Sequence, residues 1–231
     1  MVYFCYGQRF AEKNKVTTLK GVCMKVYFFV LDTMADWEYG FLLAELNSKR
    51  YFLPSKKDLE IITVSNDKNT KTSMGGFKIT PDITINELDF SNEDFLILPG
   101  ADEWLENENE EILIKSKAFI NNDMNVAAIC GATIGLAKYG ALDSKLHTSI
   151  DKEYLKMLCP EYRGEEHFKD AIVVNNKRLI TASGIAPIEF SYEVIKNLKV
   201  FSDETLNNWY GLYDKKEAKY FYGLMKSLAN N

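Results

Sequence analysis

The stretch that decides the fold is Val126-Ala127-Ala128-Ile129-Cys130-Gly131-Ala132-Thr133-Ile134-Gly135-Leu136-Ala137. It opens with four apolar residues, the composition of a strand that is buried on both faces of a sheet. After Cys130 and Gly131, small and apolar residues continue at helical spacing. The pattern predicts a strand, a sharp turn at Cys130 and a helix, which is the geometry of a nucleophile elbow.

The Cys130 thiol has two interpretations. At an elbow, Gly131 lets the backbone turn without a Cβ clash, and the N-terminus of the following helix favours the thiolate over the thiol. Cys130 is then a reactive nucleophile. The alternative is a buried thiol that ends a core strand, since free cysteine is among the most buried residue types.

The sequence around this stretch predicts an α/β order. Apolar runs indicate strands at 24–31, 59–64 and 94–98, and helical patterns lie between them. Two hairpins are predicted, one at 71–80 and one at 171–182 with its turn at Asn175-Asn176. We expect a flavodoxin-like three-layer sandwich, with a mostly parallel sheet flanked by helices.

The later part of the chain carries clear helix signals. Pro187 suits the first turn of a helix that runs to about Leu198, and Ser202 suits the cap of the next one. Residues 1–23 show no sustained periodicity and predict an N-terminal extension. Residues 24–231 are predicted to form a single domain, for which the chain of 231 residues is long enough.

Charge and cysteine usage narrow the partners. The net charge is −5 and no stripe of Lys or Arg is visible, so nucleic acid and anionic membranes are poor candidates. No apolar run approaches the roughly 18 residues of a membrane span. The four cysteines lie far apart beside only two histidines, which favours neither a zinc site nor a disulfide framework. We therefore expect no metal or other cofactor, a reducing cytoplasm, and a structural role for Cys159.

The candidate site lies where parallel strands end, because ligands bind beyond the carboxyl ends of such a sheet. Asp36 and Glu38 follow the first strand, Pro99-Gly100 follows the strand at 94–98, and Cys130 ends the strand after that. Simpler roles exist for each, such as a helix cap for Asp36 and a turn for Pro99-Gly100. The cap is the role that we favour for Asp36.

Brought together at one sheet edge, these residues predict nucleophile chemistry. Glu38 is placed to hydrogen-bond Cys130, and the backbone N–H groups of Gly100 or Ala101 and of Gly131 are placed to form an oxyanion pocket.

Five motifs in order resemble the DJ-1/PfpI superfamily, the flavodoxin-like relatives of class I glutamine amidotransferases, and within it the YoaZ/YdeA-like bacterial branch of intracellular protease- or amidase-like proteins. The resemblance covers the chain from Met24 to about Tyr213. The motifs are Ala35-Asp36-Trp37-Glu38, Leu98-Pro99-Gly100-Ala101-Asp102-Glu103-Trp104, Ala128-Ile129-Cys130-Gly131-Ala132-Thr133, Leu142-Asp143-Ser144-Lys145-Leu146-His147-Thr148-Ser149 and Ile180-Thr181-Ala182-Ser183-Gly184.

The resemblance implies roles for individual residues. It makes Cys130 the elbow cysteine and Glu38 its acidic partner, protonated against the sulfur. It places Gly100 and Gly131 at the backbone oxyanion positions. It also implies that homodimers are frequent.

The chain departs from the superfamily pattern in its histidines. Gly131 stands where one branch has a histidine directly after the cysteine, and Ile150 stands where another branch has its histidine. Of the two histidines present, His147 is either a base for Cys130 or a structural residue, and His167 is expected in a solvated loop. Trp104 is expected either to wall the mouth of the pocket or to serve packing alone.

Three functions remain open at this point. The first is a cysteine-dependent enzyme acting on a small electrophilic carbonyl or amide substrate, on the glyoxalase, deglycase or amidase side of the superfamily. The second is a redox- or electrophile-responsive stress protein whose Cys130 is modified by an oxidant without turnover. The third is a scaffold that retains the elbow without the chemistry.

Overall fold

The computed structural model describes residues 24–229. Its strands are β1 (Lys25–Phe29), β2 (Glu60–Ser65), β3 (Lys71–Thr72), β4 (Lys78–Ile79), β5 (Ile83–Thr84), β6 (Phe95–Leu98), β7 (Asn125–Ile129), β8 (Val173–Asn176) and β9 (Leu179–Ala182). Its α-helices are α1 (Asp36–Ser48), α2 (Glu110–Asn121), α3 (Gly131–Lys138), α4 (Lys152–Leu158), α5 (Pro187–Leu198), α6 (Asp203–Lys215) and α7 (Ala218–Ala229).

Seven of these strands form one sheet in the order β5-β2-β1-β6-β7-β9-β8. Neighbouring strands are parallel except for β8, which pairs with β9 in the antiparallel direction. The strands β3 and β4 form a separate hairpin, which confirms the hairpin predicted at 71–80. The predicted, mostly parallel sheet is therefore confirmed.

Helices cover both faces of the sheet. From β1 the chain crosses through α1 to β2 on one side, whereas from β6 it crosses through α2 to β7 on the other side. Because such crossovers are right-handed, α1 and α2 lie on opposite faces. Helix α1 packs against α5 and α5 against α6, whereas α3 contacts both α2 and α4. The chain thus leaves the neighbouring strands β1 and β6 in opposite directions, and the crevice at their carboxyl ends is where such a fold binds ligands.

The central strands form the core. Every residue of β6 is buried, and so are Val126–Ile129 of β7. Their uninterrupted apolar sequences arise because helices cover both faces, so neither face of these strands can be polar.

Two local predictions are wrong. The turn of the second hairpin lies at Lys177-Arg178 rather than at Asn175-Asn176, because Lys177 takes the positive φ of 62° and both asparagines continue β8. Asp36 does not cap α1: the cap position is Ala35, and the Asp36 carboxylate instead accepts hydrogen bonds from the Gly75 N–H and the Tyr39 hydroxyl. Asp36 therefore anchors the β3–β4 hairpin to α1.

The predicted domain bounds, a membrane-spanning helix and a metal site are each considered within the described residues. The extension predicted at residues 1–23 lies outside the described residues, and a single domain from 24 to 231 stays a prediction. Within residues 24–229, no helix has the length and apolar character needed to cross a membrane. The same residues contain no cluster of three or more His, Cys, Asp or Glu side chains arranged to hold a metal ion.

Candidate active site

Cys130 occupies a strained position between β7 and α3. Its φ of 56° and ψ of −124° lie outside the regions that L-residues ordinarily adopt. Its N–H donates to the Ala182 carbonyl (2.9 Å), and its carbonyl accepts from the Thr133 hydroxyl (2.7 Å). These bonds hold the sharp turn that the sequence predicts, with a half-buried thiol above the sheet edge.

Glu38 lies in the first turn of α1 and is only 1% exposed. Its Oε2 accepts a hydrogen bond from the Gly100 N–H (2.8 Å), and its carboxyl group hydrogen-bonds the Cys130 thiol. The structure therefore brings together the acid, the loop after β6 and the elbow cysteine.

Two glycines permit this close approach. A Cβ at Gly100 would lie 2.1 Å from Glu38 Oε2 and 2.7 Å from Cys130 Cβ. A Cβ at Gly184, just after β9, would lie 2.7 Å from Cys130 Sγ and 3.0 Å from Glu38 Oε1. Gly184 therefore faces both the sulfur and Oε1, the carboxyl oxygen that Gly100 does not engage. Gly184 was not among the predicted site residues.

The thiol and the carboxyl titrate as a pair. Burial raises the pKa of Glu38, and burial together with the Glu38 charge raises the pKa of Cys130 to about 12, although the Gly131 N–H lowers it. Placing two negative charges side by side in a buried site is costly. The pair therefore keeps one shared proton over a wide pH range. The lowered thiol pKa expected from the helix N-terminus alone is not found, because burial and the Glu38 charge outweigh it.

Of the two backbone donors predicted as alternatives after β6, Ala101 is the one left available. The Gly100 N–H is occupied by Glu38 and is not free for an oxyanion. Among the described residues, the Ala101 N–H has no hydrogen-bond acceptor, and the Ala101 carbonyl lies against Gly131. Ala101 and Gly131 are therefore the donors available beside the sulfur.

Trp104 is a core residue and does not line the mouth of a pocket. It is 1% exposed, its ring packs against Phe29, and its Nε1–H donates to the Pro99 carbonyl (2.7 Å). Through this hydrogen bond it supports the loop that carries Gly100, as the packing alternative predicts.

His147 is fully buried, and both of its ring nitrogens are engaged away from Cys130. Nδ1 lies 2.7 Å from the Lys145 carbonyl, which can only accept, so Nδ1 carries the proton. Nε2 is then the acceptor of the Tyr162 hydroxyl (2.6 Å). Burial lowers the pKa of His147 and keeps it neutral. This geometry argues against a base role and favours the structural alternative.

We expect the change Tyr162→Phe to lower the free energy of unfolding by about 1–3 kcal/mol, because it leaves the buried Nε2 without a donor. The rate of Cys130 alkylation should not change. Denaturant unfolding and peptide mass spectrometry after iodoacetamide treatment measure the two quantities. A tenfold loss of alkylation rate would restore His147 as a participant at the cysteine.

A parallel sheet with a cysteine at a strand-to-helix elbow and a buried carboxyl beside it defines an elbow-cysteine protein of the flavodoxin-like α/β class. Within that class the chain belongs to the DJ-1/PfpI family, whose family model matches residues 24–197. This membership confirms the resemblance that the five motifs indicate.

Individual relatives cover most of the chain. It is 45% identical over 204 residues to the Bacillus subtilis (strain 168) protein named Uncharacterized protease YoaZ, across 88% of this chain and 97% of the relative. It is 34% identical to Uncharacterized protease YdeA of the same organism, across 82% of this chain and 93% of the relative. The structure is similar to that of the thiJ/pfpI family protein from Bacillus anthracis, with a TM-score of 0.85, 45% identity, and coverage of 88% and 96% of the two chains.

Proposed function

We propose that this protein is a cysteine-dependent enzyme that adds Cys130 to a small electrophilic carbonyl or amide. The observation that carries the proposal is the proton-sharing pair of Cys130 and Glu38, with Glu38 held by the Gly100 N–H and buried from water. A buried carboxylate beside a thiol supplies an internal base, which the thiol needs because the thiolate is the nucleophile.

The first step forms a bond between Cys130 Sγ and the carbonyl carbon. The thiol proton passes to Glu38 Oε1, and the π electrons of the C=O bond move to its oxygen. That oxyanion lies towards the Ala101 and Gly131 N–H groups, which stabilise it. With an aldehyde, Glu38 returns the proton to the oxygen and a hemithioacetal forms. With a 2-oxoaldehyde such as methylglyoxal, the Glu38 carboxylate then moves the proton of the hemithioacetal carbon to the neighbouring carbonyl carbon through an enediol, which leaves a 2-hydroxyacyl thioester.

With an amide, Glu38 protonates the leaving amine as the C–N bond breaks, and a thioester forms. Water then hydrolyses the thioester to an acid and the free thiol, which restores the starting state. Glu38 serves as both base and acid in this scheme, because the nitrogens of His147 are engaged by Lys145 and Tyr162. The scheme therefore favours small activated carbonyls over peptide bonds, even though two relatives carry protease names.

The test is product formation from methylglyoxal and from small aliphatic amides, followed by proton NMR. We expect the wild type to form more than one product molecule per protein molecule. The rate in Cys130→Ser should be lower by a factor of about 10³ or more. Cys159→Ser is the matched control, because Cys159 is buried and donates to the Ile134 carbonyl away from the pair. Equal product formation by Cys130→Ala would overturn the proposal.

A redox- or electrophile-responsive protein is the second candidate, and the half-buried position of Cys130 favours it, since the sulfur is reachable without unfolding. In that case Cys130 is modified once by peroxide or by the aldehyde, and no product is released. Intact-mass spectrometry in the same experiment separates the two outcomes. A thiol that reacts with neither reagent leaves the scaffold as the remaining function.

A further inference from the structure

A cavity of about 450 Å³ lies beside the elbow, at the carboxyl end of β9. Its walls are formed by residues 148–153, residues 168–172, and the Ser183 and Ile185 side chains that flank Gly184. None of the predicted site residues lines it. Its volume suits a ligand of the size class that protein pockets enclose, which is about 300–1,000 Å³.

The floor of the cavity contains one hydroxyl group that is not satisfied. Ser183 is 2% exposed, and within residues 24–229 its Oγ has no hydrogen-bond partner. The other two hydroxyls of the floor are engaged, since Thr148 donates to the Ala171 carbonyl and Ser149 bonds to Thr133. A buried hydroxyl without a partner is costly, so the Ser183 Oγ is placed for a group supplied by a ligand.

The cavity is a neighbour of the reacting atoms, and Gly184 lies between the two. Gly184 lies between the lining residues Ser183 and Ile185, and its Cα faces Cys130 Sγ closely enough that a Cβ there would lie 2.7 Å from the sulfur. A second connection runs through Ser149, whose hydroxyl lies 2.7 Å from Thr133 Oγ1, which in turn donates to the Cys130 carbonyl. A molecule whose carbonyl reaches Sγ therefore has its substituent beside this cavity.

The rim of the cavity is apolar, and the charged residues that line the cavity carry a net negative charge. Three isoleucines at the rim are exposed to an unusual degree for their size: Ile150 at 46%, Ile172 at 46% and Ile185 at 74%. The charged lining residues are three carboxylates and a single ammonium group, which are Asp151, Glu153, Asp170 and Lys152. The shared proton of the Cys130 and Glu38 pair leaves one further negative charge nearby.

We propose that this cavity binds the substituent of the substrate, and that Ser183 and Ile185 determine which substituent is accepted. The substrate class is a small carbonyl or amide compound with a short aliphatic group, a hydrogen-bonding atom that reaches Ser183 Oγ, and no negative charge. This inference rests on the proposed function, because it assigns the specificity of the same site.

The test compares alkylation of Cys130 by iodoacetamide, N-isobutyl iodoacetamide and iodoacetate. Each reagent forms an S–C bond and releases iodide, with the thiol proton taken up by Glu38 or water. We expect the ratio of the N-isobutyl rate to the iodoacetamide rate to be about tenfold higher at Cys130 than at glutathione. Alkylation of Cys130 by the N-isobutyl reagent should show saturation kinetics. Iodoacetate should be disfavoured relative to the same glutathione standard.

The variants separate the cavity from the nucleophile. Ser183→Ala should lower the rates of both amide reagents at Cys130 about fivefold to tenfold relative to glutathione, the effect of losing one hydrogen bond to the amide group that both reagents carry. Ile185→Asp, at an exposed position that tolerates the change, should remove the preference. Ser116→Ala is the matched control, because Ser116 in α2 is also buried with no partner for its Oγ in the described range.

Two results would overturn the inference. The first is an N-isobutyl preference at Cys130 equal to that at glutathione. The second is a preference that survives Ile185→Asp, together with amide-reagent rates that Ser183→Ala leaves unchanged. Either result, with normal iodoacetamide alkylation, rejects the cavity but keeps the nucleophile of the proposed function. A Cys130 that no reagent alkylates rejects the proposed function itself.

Discussion

Glu38→Gln is expected to lower the rate of Cys130 alkylation, and of any turnover, by about 10²–10⁴-fold at pH 7, the contribution typical of a positioned general base. Glutamine has nearly the same shape, and its amide oxygen still accepts the Gly100 N–H bond that Glu38 accepts at 2.8 Å. It cannot take the thiol proton, however. The thiol then has to ionise without an internal base, in a site whose burial still raises its pKa although the Glu38 charge no longer does.

The measurement is the iodoacetamide rate at Cys130 against pH. The variant should show a single ionisation at high pH, whereas the wild type should react over a broad neutral range. Glu45→Gln is the matched control, since Glu45 is 2% exposed and bonds Arg50 and Trp209 rather than the thiol. Equal rates for wild type and Glu38→Gln would show that Glu38 does not carry the proton.

The same variant should gain stability relative to the wild type as the pH rises. Burial raises the folded-state pKa of Glu38 above its ordinary 4.5, so its stabilising contribution is fully present below that pH and is lost as the pH rises through the folded value. Glutamine does not titrate. The stability of Glu38→Gln relative to the wild type should therefore increase as the pH rises from 4 to 7, as measured by denaturant unfolding at each pH.

Gly100→Ala is expected to disrupt the contact between Glu38 and Cys130. The new Cβ would lie 2.1 Å from Glu38 Oε2 and 2.7 Å from Cys130 Cβ, so the carboxyl group must leave the sulfur. We expect a loss of about 10²-fold or more in Cys130 reactivity and a stability loss of about 1–3 kcal/mol from overpacking. Thermal unfolding and the alkylation rate measure the two effects.

Gly40→Ala provides the control for this substitution. Gly40 lies in α1, and a Cβ there meets nothing within 4 Å. The change should stabilise the protein by about 1 kcal/mol, because alanine is the better helix former. If Gly100→Ala behaves like Gly40→Ala, the tight contact between the glycine and the acid does not exist in solution.

The elbow and its neighbours could be predicted because their signals are local. The apolar run before Cys130 reads as a doubly covered strand, Pro187 begins α5 as predicted, and Ser202 caps α6 through a bond from the Thr205 N–H. Each of these depends on residues within a few positions of one another, which is the range over which sequence patterns are informative.

The features that could not be predicted depend on distant packing. The burial that raises the thiol pKa, and the saturation of the His147 ring by Lys145 and Tyr162, are invisible in a local pattern. Ser183-Gly184 had a usable signal, since it follows a strand just as Cys130 and Gly100 do. The rule that ligands bind beyond strand ends applies to β9 as well. Applied there, it identifies Gly184 as a site residue in addition to Glu38, Gly100 and Cys130.

The hydrogen bond between Gly100 and Glu38 joins residues that are 62 positions apart, and Gly184 closes the same site from still further along the chain. A chain in the course of synthesis therefore carries an ordinary thiol without its internal base until residue 184 has emerged and the strands have paired. In a molecule whose β9 separates from β7, Cys130 returns to an ordinary cysteine with a pKa near 9.0. The proposed chemistry therefore depends on the final assembly of the sheet, because only the assembled sheet brings the acid and the thiol together.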